Sequence, residues 1–299
     1  RDVIDDNWII YYLNFADLSI HITGLTVPKL NQAKLKEIPL PLPSLSEQER
    51  IVAVLDEAFE AIDTAIANTE KNLANTEELF QSILDQQFND LDSGENEWQQ
   101  TTLGDTYDVR DGTHDSPKYQ EEGHPLLTSK NLKPHGLTYD KAKFISEEDF
   151  NKINQRSKVD RGDVLMAMIG TIGNPVVVDR EPDFAIKNVA LFKVKNQMGR
   201  FLRYYLSSPF VVSKMTREAR GTTQRFVSLK YLRTFPIWLP PSSEQERIVS
   251  ILDEANDSVH ALRGGLLVKL AGLEELKQSV LEKAFSGELT DSVLEEAGV

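Results

Sequence analysis

The 299-residue chain contains no cysteine, and only three tryptophans and five histidines. The missing cysteine excludes disulfides, thiol nucleophiles and most structural zinc sites, and agrees with a reducing compartment. No apolar run approaches the ~18 residues of a membrane span, so no membrane partner is expected. Positive charge is also short, 33 Lys+Arg against 47 Asp+Glu, for a net charge of -14. Taken whole, that balance argues against a polyanion as ligand. Taken by region it does not. Residues 98–221 hold 19 Lys+Arg and 16 Asp+Glu, or +3, whereas the remainder holds 14 and 31, or -17. At 40% hydrophobic and 27% charged residues, the chain has an ordinary globular composition and room for two domains, or for one domain and an extended element.

What the sequence does have is a duplication. Residues 39–58 (PLPLPSLSEQERIVAVLDEA) and 236–255 (PIWLPPSSEQERIVSILDEA) are identical at 14 of 20 positions with a constant offset of 197. The register continues outward without a gap: Gly24 meets Gly221, Leu35 meets Leu232, Leu79 meets Leu276, Ser82 meets Ser279 and Phe88 meets Phe285. A period this long fits a two-module protein and not a solenoid.

Each copy has the same grammar. A strand-like run (Ile38 to Leu42, Phe235 to Leu239) ends in prolines, and Ser46 to Glu49 or Ser243 to Glu246 supplies a Ser-x-x-Glu capping box, which predicts a helix start. Apolar residues then recur at three and four: Ile51, Leu55, Ala58, Ile62, Ala65, Thr69, Leu73, Thr76, Phe80 and Ile83 in the first copy. The second has Ile248, Leu252, Ala255, Val259, Leu262, Leu266, Leu270, Leu273 and Val280. So narrow a seam predicts one partner helix, and two such helices in one chain predict an antiparallel intramolecular coiled coil, each helix roughly 60 Å long. Gly264-Gly265 interrupts the second seam, with a kink, a close crossing or simple tolerance as the readings.

Between the helices the texture changes. Strand-like runs (Thr102 to Val109, Pro125 to Thr128, Asp163 to Ile169, Pro175 to Val178, Ala190 to Val194) alternate with turn residues, and helix-like patches fall at Glu147 to Asn154 and Arg200 to Leu206. This predicts a compact α/β (α+β) domain. Its end, from Arg217 to Lys230, mixes arginines, small hydroxyl residues, an amide and an aromatic, a set that can hold phosphates and read base edges.

These residues resemble the specificity subunit of type I DNA restriction-modification systems. The resemblance rests on the element that opens each long helix, Leu42 to Asp56 and Leu239 to Asp253. It also rests on Thr102-Leu103-Gly104-Asp105, Leu127 to Leu132, Gly162-Asp163-Val164-Leu165, Gly170 to Gly173 and Ala185-Ile186-Lys187-Asn188. It covers nearly the whole chain. It implies a subunit without catalysis or cofactor, whose target recognition domains each bind half of an interrupted site in double-stranded DNA. The paired helices would act as a ruler and as the dock for two adenine methyltransferase (modification) subunits, in a bacterial or archaeal cytoplasm. Whether a restriction/translocase subunit joins them is left open.

Four parts are expected: residues 1–43, the C-terminal remnant of a first target recognition domain; 44–92, the first long helix; 93–241, a complete target recognition domain; and 242–299, the second long helix and tail. Trp8 to Leu13 echoes Phe201 to Leu206, which supports the remnant. The chain starts at Arg1, without methionine, and an N-terminally incomplete subunit is expected over a shortened form that dimerises.

The DNA-binding candidates combine donors with tight turns that allow close backbone approach. They are Ser129, Lys130 and Asn131; Gly170 and Thr171; Lys187 and Asn188; and Arg220, Thr222, Thr223, Gln224 and Arg225 with Lys230. Enzymatic readings fail on the residues. Asn174-Pro175-Val176-Val177 lacks the second proline and the aromatic of an adenine methyltransferase motif, and Gly170-x-x-Gly173 is too short for a phosphate loop. Asp111, His114, Asp115 and His124 read as solvated polar residues and not as metal ligands. The competing reading is a coiled-coil scaffold that does not touch DNA; it gives no reason for the near-neutral domain ending in a basic, Thr/Gln-rich loop.

Overall fold

The computed structural model describes residues 3–24, 27–88, 98–134, 136–194, 199–221 and 225–289. Helices α1 (Asp6–Phe15) and α2 (Gln32–Leu35) precede the long helix α3 (Leu45–Phe88). Then follow β1 (Gln99–Thr102), α4 (Leu103–Thr106), β2 (Asp108–Asp111), β3 (His124–Leu127), β4 (Leu132–Lys133), β5 (Gly136–Leu137) and β6 (Lys143–Ile145). Next come α5 (Glu147–Ser157), β7 (Val164–Ala167), β8 (Gly173–Val177), β9 (Ala185–Ile186) and β10 (Val189–Lys193). The chain closes with α6 (Gly199–Ser207), α7 (Pro209–Glu218), α8 (Leu229–Thr234), β11 (Pro236–Leu239) and the second long helix, α9 (Ser242–Ser286). The fold class is the one expected, a mixed α/β domain with two long helices. Two compact units emerge, Arg1–Thr76 with His260–Val299, and Glu77–Val259.

The second unit is organised on the four-stranded antiparallel sheet β2-β10-β7-β8. Val164, Met166, Ala190 and Phe192 leave one face to join Phe201, Tyr204 and Tyr205 of α6 in a core. Leu165, Val176, Val189 and Leu191 leave the other face to join Leu127, Leu132, Phe184 and Ile186. A sheet covered on both faces needs apolar residues at successive positions, which is why Val164–Ala167 shows no alternation. A second sheet runs β6-β3-β9, β4 and β5 form a hairpin, and β11 returns to pair with β1.

Thr102 to Val109, expected as one strand, is strand, one-turn helix and strand. Thr102 Oγ1 accepts the Asp105 N–H at 3.1 Å and starts α4 instead of continuing β1. Ile38 to Leu42, expected to be strand-like, forms no strand among the described residues.

The two long helices run antiparallel. In the first unit Ile51, Val52 and Leu55 share a cluster with Leu281 and Ala284, and Lys277 Nζ donates to Asp63 Oδ1 at 2.7 Å. In the second, Leu84 and Phe88 share a core with Ile248 and Leu252. The expected seam faces inward: Ile51, Leu55, Ile62, Ile248 and Leu252 are buried, and Leu73, Phe80, Val259, Leu266 and Leu273 are half-buried. Thr69 and Thr76 are tolerated there because their hydroxyls donate to the Ala65 and Leu73 carbonyls, both at 2.7 Å.

Three helix expectations are corrected. Leu262 is 51% exposed; half-buried Arg263 holds the seam spacing instead. Gly264 and Gly265 mark no close crossing, since a Cβ at either would meet nothing within 4 Å, and α9 runs through them. The helices begin at Leu45 and Ser242, so Ser46 and Ser243 lie inside the first turn and cap nothing. The Ser44 and Pro241 carbonyls accept the first helical N–H groups, at 2.9–3.0 Å, and Glu47 and Glu244 pair forward with Arg50 and Arg247.

Each unit contains the same joint. In the first, Tyr11 Oη donates to Asp56 Oδ1 at 2.5 Å, and Phe285 packs against Trp8 and Tyr12 at ring distances of 4.7 and 5.2 Å. In the second, Tyr204 Oη donates to Asp253 Oδ1 at 2.7 Å, and Phe88 packs against Phe201 and Tyr205 at 5.8 and 5.6 Å. Asp56 and Asp253, like Phe88 and Phe285, are repeat partners, so the duplication and the Trp8/Phe201 echo describe one packing solution used twice.

Candidate nucleic-acid interface

Strand β7 ends at Ala167, and the chain continues through buried Met168 into Ile169 and Gly170. Gly170 adopts φ +78°, and its N–H donates to the Arg225 carbonyl at 2.8 Å. Ile169 bridges Phe226, and Phe226 in turn exchanges backbone hydrogen bonds with Arg220 at 2.8 and 2.9 Å. Two candidates far apart in sequence, Gly170 on one side and Arg220 with Arg225 on the other, therefore meet at one edge. Thr171, Arg220 and Arg225 are exposed there. The Arg225 guanidinium donates to the Thr216 carbonyl at 3.3 Å. Thr222, Thr223 and Gln224 lie outside the described residues.

Lys187 and Asn188 form the turn between β9 and β10. The Lys187 N–H donates to Leu127 O at 2.8 Å and Asn188 N–H to Thr113 O at 3.1 Å, which fixes the turn between β3 and the loop after β2. An open cavity of about 540 Å³ is lined by Asp111 and His114 on one side and by Met168, Ile169 and Phe226 to Leu229 on the other. Gly170 and Arg225 adjoin its lining residues Ile169 and Phe226 in the chain, and Asn188 contacts its lining residue His114. Lys230, exposed on α8, follows directly on the residues lining the cavity.

The third group divides. Ser129 and Lys130 sit in the turn after β3, half-buried and exposed respectively. Asn131 is 4% exposed, its Oδ1 accepting the Thr128 N–H at 2.9 Å and its Nδ2 donating to Thr138 O at 3.0 Å. That amide is spent on closing the turn.

Electrostatics around the domain are mostly internal. Lys193 holds Asp160 and Asp163, and the Lys193 ammonium keeps the Asp160 carboxyl below its ordinary value. His124 and Glu147 pair at 2.6 Å, the carboxylate raising the imidazole and the imidazole lowering the carboxyl. His124 also stacks on Phe150 at 3.9 Å, which pins α5 to β3. His114 instead meets Asp111, so the two histidines belong to separate sets. Sequence reasoning set Asp111 and His114 aside as solvated. Only Asp111's burial betrays them, and the partner that permits it, Arg156, is 45 residues away.

An α/β domain with a cavity flanked by exposed arginines, and long helices whose joint recurs in each unit, define the architecture of a two-module protein. The description "Type I restriction modification DNA specificity domain" matches residues 2–75 and 95–270, and the chain belongs to that family. The putative type I restriction enzyme specificity subunit S.HindORF215P of Haemophilus influenzae is 26% identical over 278 residues, covering 89% of this chain and 68% of that one. The EcoBI specificity subunit of Escherichia coli is 24% identical over 300 residues, covering 91% and 63%. The chain thus spans about two thirds of the length of these relatives. The HsdS subunit of Thermoanaerobacter tengcongensis shares the fold at a TM-score of 0.60 and 22% identity, over 96% of this chain and 72% of that one. A chain from work on complex assembly and conformational transition of the type I R-M system matches at a TM-score of 0.72 and 24% identity, over 94% and 69%.

Proposed function

We propose that this chain reads DNA sequence within a type I restriction-modification complex. Residues 93–241 contact one half of an interrupted duplex site, and the helices of residues 44–92 and 242–299 set the spacing and dock adenine methyltransferase subunits, two in a full assembly. The restriction subunit joins through the same complex. The chain itself contributes recognition and no chemistry, and works in a bacterial or archaeal cytoplasm. No helix among the described residues is long and apolar enough to cross a membrane, which accords with that setting.

The observation that supports this reading is that Gly170 and Arg225, 55 residues apart in sequence, are joined by a hydrogen bond and adjoin the lining of a cavity whose lining residue His114 contacts Asn188, in the domain with the positive charge balance. Arginines and exposed turn backbone are what phosphates require, and amide or amine donors are what base edges require.

Duplex binding by the complex with its methyltransferase subunits, followed across salt concentration, tests it. Affinity should fall steeply with salt, and Arg220→Ala with Arg225→Ala should weaken binding and flatten the slope by about 0.9 for each phosphate no longer neutralised. A flat salt response, or unaltered binding by the double variant, contradicts the assignment.

A further inference from the structure

Asp111 ends β2 with its side chain only 5% exposed, a position in which a carboxylate is costly unless its oxygens are paired. Oδ1 accepts from the Arg156 guanidinium of α5, and Oδ2 faces His114 Nε2 at 2.9 Å. The other ring nitrogen, Nδ1, lies 2.7 Å from Asn188 Oδ1. The backbones are clamped together as well. Thr113 N–H donates to Ile186 O at 3.0 Å, and Asn188 N–H returns to Thr113 O. Gly112 makes that approach possible, since a Cβ there would stand 2.3 Å from Ile186 O. Asn188 itself holds φ +55°, and its neighbour Lys187 donates from Nζ to Ser116 Oγ at 2.6 Å. Both donor-bearing side chains of this turn are therefore gripped by the loop of residues 111–116.

His114 is 56% exposed at its side chain, yet both ring nitrogens are engaged within the chain. It has nothing left for a ligand and acts as a strut. What the strut fixes is the Asn188 amide, one end of which meets the ring while the other is left for a ligand. A mobile asparagine can offer both ends and pair bidentately with adenine. One with an end already engaged offers a single hydrogen bond.

We infer that Asp111 and His114 are positioning residues that lock Asn188 with one amide end free, and with Lys187 held beside it, against the edge of a single base of the half-site. The inference rests on the DNA-reading function proposed above and adds to it which side chains set one base of the half-site, and how.

The test is selection from a randomised duplex pool by the full chain in complex with its methyltransferase subunit, comparing the unaltered chain with His114→Ala, Asn188→Gly and the two combined. Glycine accepts the positive φ of residue 188 without strain, so that variant removes the amide and leaves the turn. Both single variants should lose about tenfold of preference at the same one base pair. The combined variant should lose no more than either, because His114 acts through Asn188. For His114→Ala, binding to scrambled duplex and its salt slope should stay unchanged. Preference that survives in His114→Ala or Asn188→Gly, losses at different base pairs, or a His114→Ala loss equally large on scrambled duplex overturns the inference while leaving DNA reading intact. If the unaltered chain selects no sequence at all, the DNA-reading function fails, and this inference with it.

Discussion

In the unit of residues 77–259, Leu232 is fully buried and Phe235 is 1% exposed. Their repeat partners in the other unit, Leu35 and Ile38, are 43% exposed and half-buried. The same contrast holds for backbone: β11 pairs with β1, whereas residues 39–42, the duplicate of β11, find no strand among the described residues. Yet the helix joints beside these segments are the same, tyrosine to aspartate and aromatic to phenylalanine. The duplicated sequence thus encodes a joint that forms with or without a neighbouring sheet. The candidate DNA-reading groups belong instead largely to the segment that occurs once.

That contrast can be broken most forcefully at the buried leucines. Leu232→Ala should cost about 2–5 kcal/mol, and Leu35→Ala less than about 0.5 kcal/mol. Hydrogen exchange resolved by segment separates the two units and is preferable to a single melting curve. Equal costs at the two positions would mean that the exposure difference does not describe the chain in solution.

A smaller effect is expected at the joints. Tyr204→Phe should lose about 1 kcal/mol, the net worth of a half-buried hydroxyl hydrogen bond, and Tyr11→Phe, whose bond to Asp56 is exposed, somewhat less. Burial, with Asp56 adding to it, pushes the Tyr11 hydroxyl up to about 12, and burial together with Asp253 also raises Tyr204. Both are neutral in the folded chain. Their contribution is complete below the ordinary tyrosine value near pH 10 and is lost as pH rises through the folded values. Tyrosine ionisation followed by absorbance should therefore lag in the native chain and coincide with loss of helix. Ionisation at the ordinary value with helix intact would contradict the packing of both joints.

The smallest change has the opposite sign. Gly265→Ala, with open space around the new methyl group, should stabilise α9 by about 0.8–1 kcal/mol. Destabilisation there would indicate that something covers this face of the helix.

Much of this architecture is legible in the sequence alone. Periodicity places the seam because burial repeats every three to four residues, and only Leu262, one position off the stripe, misleads. Helix starts are misjudged by two residues, because the chain turns helical at Leu45 and Ser242, after Ser44 and Pro241, before the Ser-x-x-Glu pattern begins. Turn chemistry correctly singles out Gly170 and Asn188, both of which adopt positive φ. It fails for Asn131, since nothing local reveals that its amide is consumed by Thr128 and Thr138. The Arg156–Asp111–His114–Asn188 chain is invisible for the same reason: its ends are joined by hydrogen bonds spanning 45 and 74 residues, and single-sequence spacing carries no record of them.

The measurement that bears most directly on the central claim is a genome-wide map of adenine methylation in a methylation-free host expressing this chain with its methyltransferase subunit, alongside the Arg220→Ala/Arg225→Ala variant. A new interrupted motif that the unaltered chain confers and the variant loses is the predicted result. A stable complex that methylates no defined motif, or a motif indifferent to the variant, would contradict it.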